Sequence, residues 1–173
     1  MKKCLIVVDY QIDFVNGALG FKKAVELDEK IAEKIEQYHK NNDDVIFTFD
    51  THSADYLNTQ EGKNLPIEHC IEGTDGHKLY GKTATMVKDS DKCFYKPSFG
   101  SSELFEYLKS TEYESIELCG VVSNICVISN AVLAKTAQPE TEIIVDSNCI
   151  ASNDDKLNEC AIEVMKSLQI QVD

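Results

Sequence analysis

The feature that most constrains this chain is its alternation between short, almost wholly aliphatic runs and longer stretches with helical spacing. Lys3–Val8 is a nearly continuous aliphatic run with no polar alternation, as a parallel strand covered on both faces requires. Residues 24–38 then place Val25, Ile31, Ile35 and Tyr38 near one helical face, and Asn41-Asn42-Asp43 closes that helix. Further strands are predicted over 44–49, 91–95, 115–119, 142–145 and 170–172. Helices are predicted from Ser101 or Ser102 to Ser110, after Ser123, and over 154–168. The segment 51–85 is rich in glycine and contains Pro66, so it reads as loop with a short helix near 76–80. Strands alternating with helices through short connections predict an α/β chain, a three-layer α/β/α sandwich with a mostly parallel central sheet. No linker or internal repeat divides residues 1–173, so one domain is expected.

Composition narrows the function classes. The formal net charge of −13 argues against nucleic acid or an anionic membrane as partner and favours a small-molecule substrate. No apolar run is long enough to span a bilayer, and seven scattered cysteines fit reduced thiols, so a cytoplasmic setting is expected.

In a parallel sheet, ligands bind where the strands end. Asp9 follows the first predicted strand, Asp50 the second, Lys96 the third, and Cys126 follows the fourth. Ser123 reads as a helix N-cap, which would put Cys126 in the first helical turn, where free N–H groups favour a thiolate. A carboxylate, a cation and a cysteine on one rim are the parts of covalent acyl transfer, although each alone also reads as a turn, a solvated or a core residue. Asp50-Thr51-His52 and His69, with Glu61 between them, form an open ligand set for Zn²⁺, Mn²⁺ or Fe²⁺. The competing reading is a turn cap with two surface histidines. Cys70 is a weaker ligand candidate, and His39 and His77 read as solvated. A receiver-like signalling domain also gathers acids and a lysine at strand ends, but it has no use for the cysteine and histidines.

Five motifs in order carry a family resemblance: Asp9-Tyr10-Gln11-Ile12-Asp13-Phe14, Asp50-Thr51-His52, the stretch from Pro66 to Thr74 around His69, Tyr95-Lys96-Pro97-Ser98-Phe99, and Gly120-Val121-Val122-Ser123-Asn124-Ile125-Cys126. The chain resembles the isochorismatase-like cysteine hydrolase superfamily, and within it the nicotinamidases. That resemblance implies Cys126 as nucleophile, Asp9 as proton acceptor and donor, and Lys96 as the bridge between them. It implies a cis peptide at Val121–Val122, with the Val122 and Cys126 amides forming an oxyanion hole. It also implies a divalent transition metal, zinc first, held by Asp50, His52 and His69 with Glu61 as candidate fourth ligand. Phe14 would pack on the ring of nicotinamide, whose pyridine nitrogen the metal binds. Hydrolysis to nicotinate and ammonia, a place in NAD salvage and a homo-oligomeric state are further implications. A non-catalytic member of the fold, or a hydrolase of another small amide or imide, is the alternative. The chain departs from the family pattern in three places. Ile12 replaces a common asparagine, Tyr56 stands where some members have a histidine, and no tryptophan precedes His69, where Asn64-Leu65-Pro66 stands instead. Ring stacking would then fall to Phe14, Phe99, Tyr10 or Tyr56.

Overall fold

The computed structural model describes residues 1–173. In chain order the strands are β1 (Cys4–Val8), β2 (Asp44–Asp50), β3 (Lys92–Lys96), β4 (Ser115–Val121), β5 (Glu142–Ala151) and β6 (Gln171–Val172). The helices are α1 (Ile12–Val15), α2 (Lys22–Val25), α3 (Asp28–Lys40), α4 (Gln60–Asn64), α5 (Gly81–Thr85), α6 (Ser102–Lys109), α7 (Ile128–Ala137) and α8 (Asp155–Ser167). The strands form one six-stranded sheet in the order β3-β2-β1-β4-β5-β6, every neighbouring pair parallel.

Alternate side chains of β1 explain the layers. Cys4, Ile6 and Val8 point into a core closed by Leu104 and Leu108 of α6, Ala131 and Ala134 of α7, and Met165 of α8. Leu5 and Val7 point into the opposite core with Phe14, Ala24, Ile31 and Ile35 from α1, α2 and α3. All five β1 residues are buried, so the unbroken aliphatic run is the signature of two covered faces. Gly120 lets β4 approach β1: its φ is +111°, and a Cβ there would lie 2.1 Å from the Val8 carbonyl oxygen. Ser101 and Asp154 cap α6 and α8 by accepting from the Leu104 and Leu157 N–H groups at 3.1 and 3.0 Å. No helix is long and apolar enough to cross a membrane.

Several expectations need correction. The helix expected over 24–38 is two helices, α2 and α3; Ala24 and Leu27 turn inward at the break, and Val25 is exposed. The helix expected near 76–80 is a single 3₁₀ turn, Asp75–His77, followed by α5. Ser123 caps nothing. It opens a π-helical turn, Ser123–Val127, and its hydroxyl donates to Asn158 Oδ1 at 2.6 Å. The strand expected over 142–145 runs on to Ala151, with a register shift against β4 between Leu118 and Gly120. His39 is not solvated: Nε2 lies 2.9 Å from Asp91 Oδ1, with both side chains buried. His77 is partly buried, with Nε2 2.8 Å from Thr51 Oγ1.

Candidate active site

The sheet order reverses between β1 and β4, and the crevice beyond their carboxyl ends is where this topology places a ligand. Asp9 leaves β1 at φ +45°, an uncommon conformation for a residue with a Cβ, which turns the chain out of the sheet. Its carboxylate is fully buried. Oδ1 accepts from Thr48 Oγ1 at 2.7 Å, and Oδ2 lies 2.6 Å from Lys96 Nζ. Lys96 ends β3 and is itself 1% exposed. Its ammonium donates to Ser98 O at 2.8 Å, lies 3.6 Å from Cys126 Sγ, and sits 3.7 Å from Asp50 Oδ1. One ammonium thus touches the carboxylate, the sulfur and the second aspartate.

Burial raises the Asp9 carboxyl above the usual carboxylate range, and Lys96 opposes this while the Asp50 charge adds to it. Burial pulls Lys96 down, but Asp9, Cys126 and Asp50 together hold it above its ordinary value, so it stays charged. Burial and the Asp9 carboxylate push the Cys126 thiol well up, against the pull of Lys96. Cys126 lies in a buried π-helical turn, Ser123–Val127, that runs directly into α7. The Val121–Val122 peptide is cis.

Asp50, His52, Glu61 and His69 present one donor atom each, all within 4.8 Å of one another. His52 Nε2 is 2.9 Å from Asp50 Oδ2 and 3.8 Å from Glu61 Oε1. His69 Nε2 lies 3.4 and 3.8 Å from the same two oxygens. Four ligands bonded at about 2.1 Å around a tetrahedral ion stand roughly 3.4 Å apart, so these spacings fit one ion. The chemistry fits as well, because two imidazoles and two carboxylates suit Zn²⁺, Mn²⁺ or Fe²⁺. His69 Nδ1 meets the Ile67 carbonyl at 2.8 Å, the outer contact that leaves Nε2 with its lone pair free. Burial works to raise the Asp50 carboxyl, but the two imidazoles beside it and the charge of Lys96 hold it below its usual range. Cys70 is buried but lies outside this group.

A cavity of about 360 Å³ joins the two clusters. Cys126, Val122, Asp50, Glu61 and His69 all line it, and Phe14, Phe21, Leu65 and Phe99 supply apolar walls. Phe14 packs against the His69 ring with centroids 5.4 Å apart. Leu65 takes a wall position at the place where the family tryptophan is missing. Two aromatic expectations fail. Tyr10 turns into the core, donating to Ala24 O at 2.6 Å. Tyr56 packs behind the metal-type histidines, 4.7 Å from the His52 ring and 5.0 Å from the His69 ring. Phe21, which no motif marks, also reaches the cavity, as does Ile125, which lies in the Cys126 motif with no role implied there.

Comparison with known proteins identifies the family and the fold. The isochorismatase family protein PncA of Bacillus subtilis, described as uncharacterized, is 29% identical over 163 residues, covering 88% of this chain and 87% of that protein. The crystal structure of nicotinamidase/pyrazinamidase PncA from Bacillus subtilis superposes with a TM-score of 0.89 at 29% identity, covering 99% of each chain. The pyrazinamidase of Pyrococcus horikoshii, solved in complex with zinc, has a TM-score of 0.87 at 23% identity, covering 100% of this chain and 99% of that one; at that distance it supports the fold alone. The isochorismatase domain model matches residues 3–172, and with nearly the whole chain inside that match, this protein belongs to the isochorismatase-like hydrolase family.

Proposed function

We propose that this chain hydrolyses nicotinamide to nicotinate and ammonia through a thioester on Cys126. The observation that carries the reading is a single aromatic-walled cavity lined both by Cys126 and by the Asp50, Glu61 and His69 donors. The cysteine suits a carboxamide and the donor cluster, with its metal, a ring nitrogen. Nicotinamide holds both groups at a fixed separation in one rigid molecule, so its binding prepays much of the orientation entropy.

In this mechanism Asp9 takes the Cys126 proton as sulfur attacks the carboxamide carbon, which removes any need for a resting thiolate. Lys96 stays charged through the step and balances the negative charge that moves from Asp9 to the oxyanion. The Val122 and Cys126 amides receive the oxyanion, a role in which one lost donor typically costs about 2.7–4 kcal/mol. Asp9 returns its proton to the departing ammonia, then draws a proton from the water that hydrolyses the thioester. Asp50, His52, His69 and Glu61 would hold a divalent transition metal, zinc being the first choice, and when bound it supplies a Lewis-acidic position for the ring nitrogen. Phe14 and Phe99 exclude water from the ring faces.

Ammonia release from nicotinamide and benzamide by metal-loaded protein tests this reading. Benzamide keeps the carboxamide and the ring but lacks the nitrogen, so kcat/KM should fall on the order of 10²-fold or more. Equal rates would remove the nicotinamide assignment and leave a cysteine amidohydrolase. One observation favours a wider substrate class as the second reading. Leu65 and Phe99 also border an outer groove of about 1020 Å³, which gives a substituted aromatic amide room to extend. Faster turnover of a ring-substituted amide than of nicotinamide would favour it.

A further inference from the structure

Strand β1 pairs with β2 only as far as Val8 opposite Thr48, because Asp9 turns the chain out of the sheet. The last residues of β2 therefore lose their neighbour on that side just where Asp50 must present its carboxylate. The Gln11 side chain fills the gap. Its Oε1 accepts from Asp50 N–H at 2.8 Å, and its Nε2 donates to Asp50 O at 2.9 Å and to His77 O at 2.8 Å. Gln11 is fully buried, and both amide protons are used. It acts as one more strand partner, and without it the Asp50 N–H and C=O and the His77 C=O lose these hydrogen bonds.

Two residues on, Asp13 does the same for the second ligand loop. Its Oδ2 accepts from Cys70 N–H at 2.8 Å, and its Oδ1 from Ala18 N–H at 3.3 Å. Cys70 follows His69 directly and is held at φ +47°. Its carbonyl accepts from His52 N–H at 3.0 Å, so the Asp13 contact fixes the backbone of both histidines. The carboxylate sits where Gly76 leaves space: a Cβ on Gly76 would fall 2.0 Å from Asp13 Oδ2.

We infer that Gln11 and Asp13 are positioning residues which set the spacing of the Asp50–His52–Glu61–His69 donors and thereby the affinity for the metal. The inference rests on the reading of those four residues as a metal site. One segment, residues 9–14, then places the proton acceptor Asp9, the Asp50 and His69 ligands and the ring wall Phe14. Outer contacts of this kind typically change metal affinity by about 10–100-fold.

Cobalt titration of the full chain against a competing chelator, read by visible absorption, tests it. Gln11→Ala and Asp13→Ala should each weaken Co²⁺ binding about 10–100-fold and alter the spectrum. Asp13→Asn keeps an acceptor for Cys70 N–H and should recover most of that loss. Gln11→Glu keeps the acceptor but loses both donors, and should resemble Gln11→Ala. Variants that melt at lower temperature yet bind Co²⁺ with unchanged affinity and spectrum would overturn the inference. If the alanine variants do not fold, the other pair decides: weakened binding in Gln11→Glu with near-normal binding in Asp13→Asn supports it, and equal affinities overturn it. A wild-type chain that binds no Co²⁺ would instead overturn the metal-site reading itself, and the inference with it.

Discussion

Cys126→Ser should leave the protein folded and lower nicotinamide hydrolysis by at least about 10⁴-fold, the scale seen when a nucleophile is lost from a site whose parts act together. The substitution changes one atom in a fully packed turn, so the fold has little reason to respond. The chemistry has every reason. Asp9 is the carboxylate that contacts Lys96 at hydrogen-bond distance beside the sulfur, and burial lifts it above the usual carboxylate range, which strengthens it as a base. A serine hydroxyl is a far weaker acid, and Asp9 cannot draw its proton at comparable cost. Mass analysis of acid-quenched wild-type protein should show an acyl group on the Cys126 peptide, absent from the serine variant. A serine variant with a rate near wild type, or an acyl group on another cysteine, would move the nucleophile elsewhere.

What the sequence made legible follows from which interactions are local. β1 was readable because burial on both faces leaves an unbroken aliphatic run. Asp9, Asp50, Lys96 and Cys126 were readable as a group because strand ends converge at a switch point whatever the details of packing. The strand predicted over 142–145 stops where the aliphatic run gives way to Asp146-Ser147-Asn148. In the fold Asp146 pairs with Lys34 of α3 at 2.8 Å, a partner more than a hundred residues away. His39 looked solvated for the same reason, since Asp91 reaches it only across the fold. The Ser123 cap failed to a competitor, Asn158, that no local rule could supply. Phe21 stayed invisible because an aromatic in a loop has no periodicity to show which way it faces.

The second large effect belongs to Lys96. Lys96→Met keeps an aliphatic stem of similar shape but removes the ammonium that lies 2.6 Å from Asp9 and 3.7 Å from Asp50. Both carboxylates are buried, at 0% and 3% exposure, and neither can recover the lost partner from water. Removing one member of such a group typically costs about 3–5 kcal/mol, far more than an exposed ion pair contributes. The pH dependence has a definite sign. Asp9 already has a folded pKa above its unfolded value through burial, and Lys96 is the main influence pulling it down. Without Lys96 it rises further, so the folded variant binds its proton more tightly than the unfolded chain does. Its stability is then greatest below the unfolded carboxylate pKa of about 3.9, and it is lost as pH rises through the folded value. Urea unfolding of chelator-treated wild type and Lys96→Met should therefore show a deficit that is larger near pH 8 than near pH 5. An equal deficit at both pH values would mean that the ammonium acts through packing rather than charge. That outcome would also undo its role in balancing the oxyanion, because a cation that does not stabilise Asp9 at rest has no charge to lend when the proton moves.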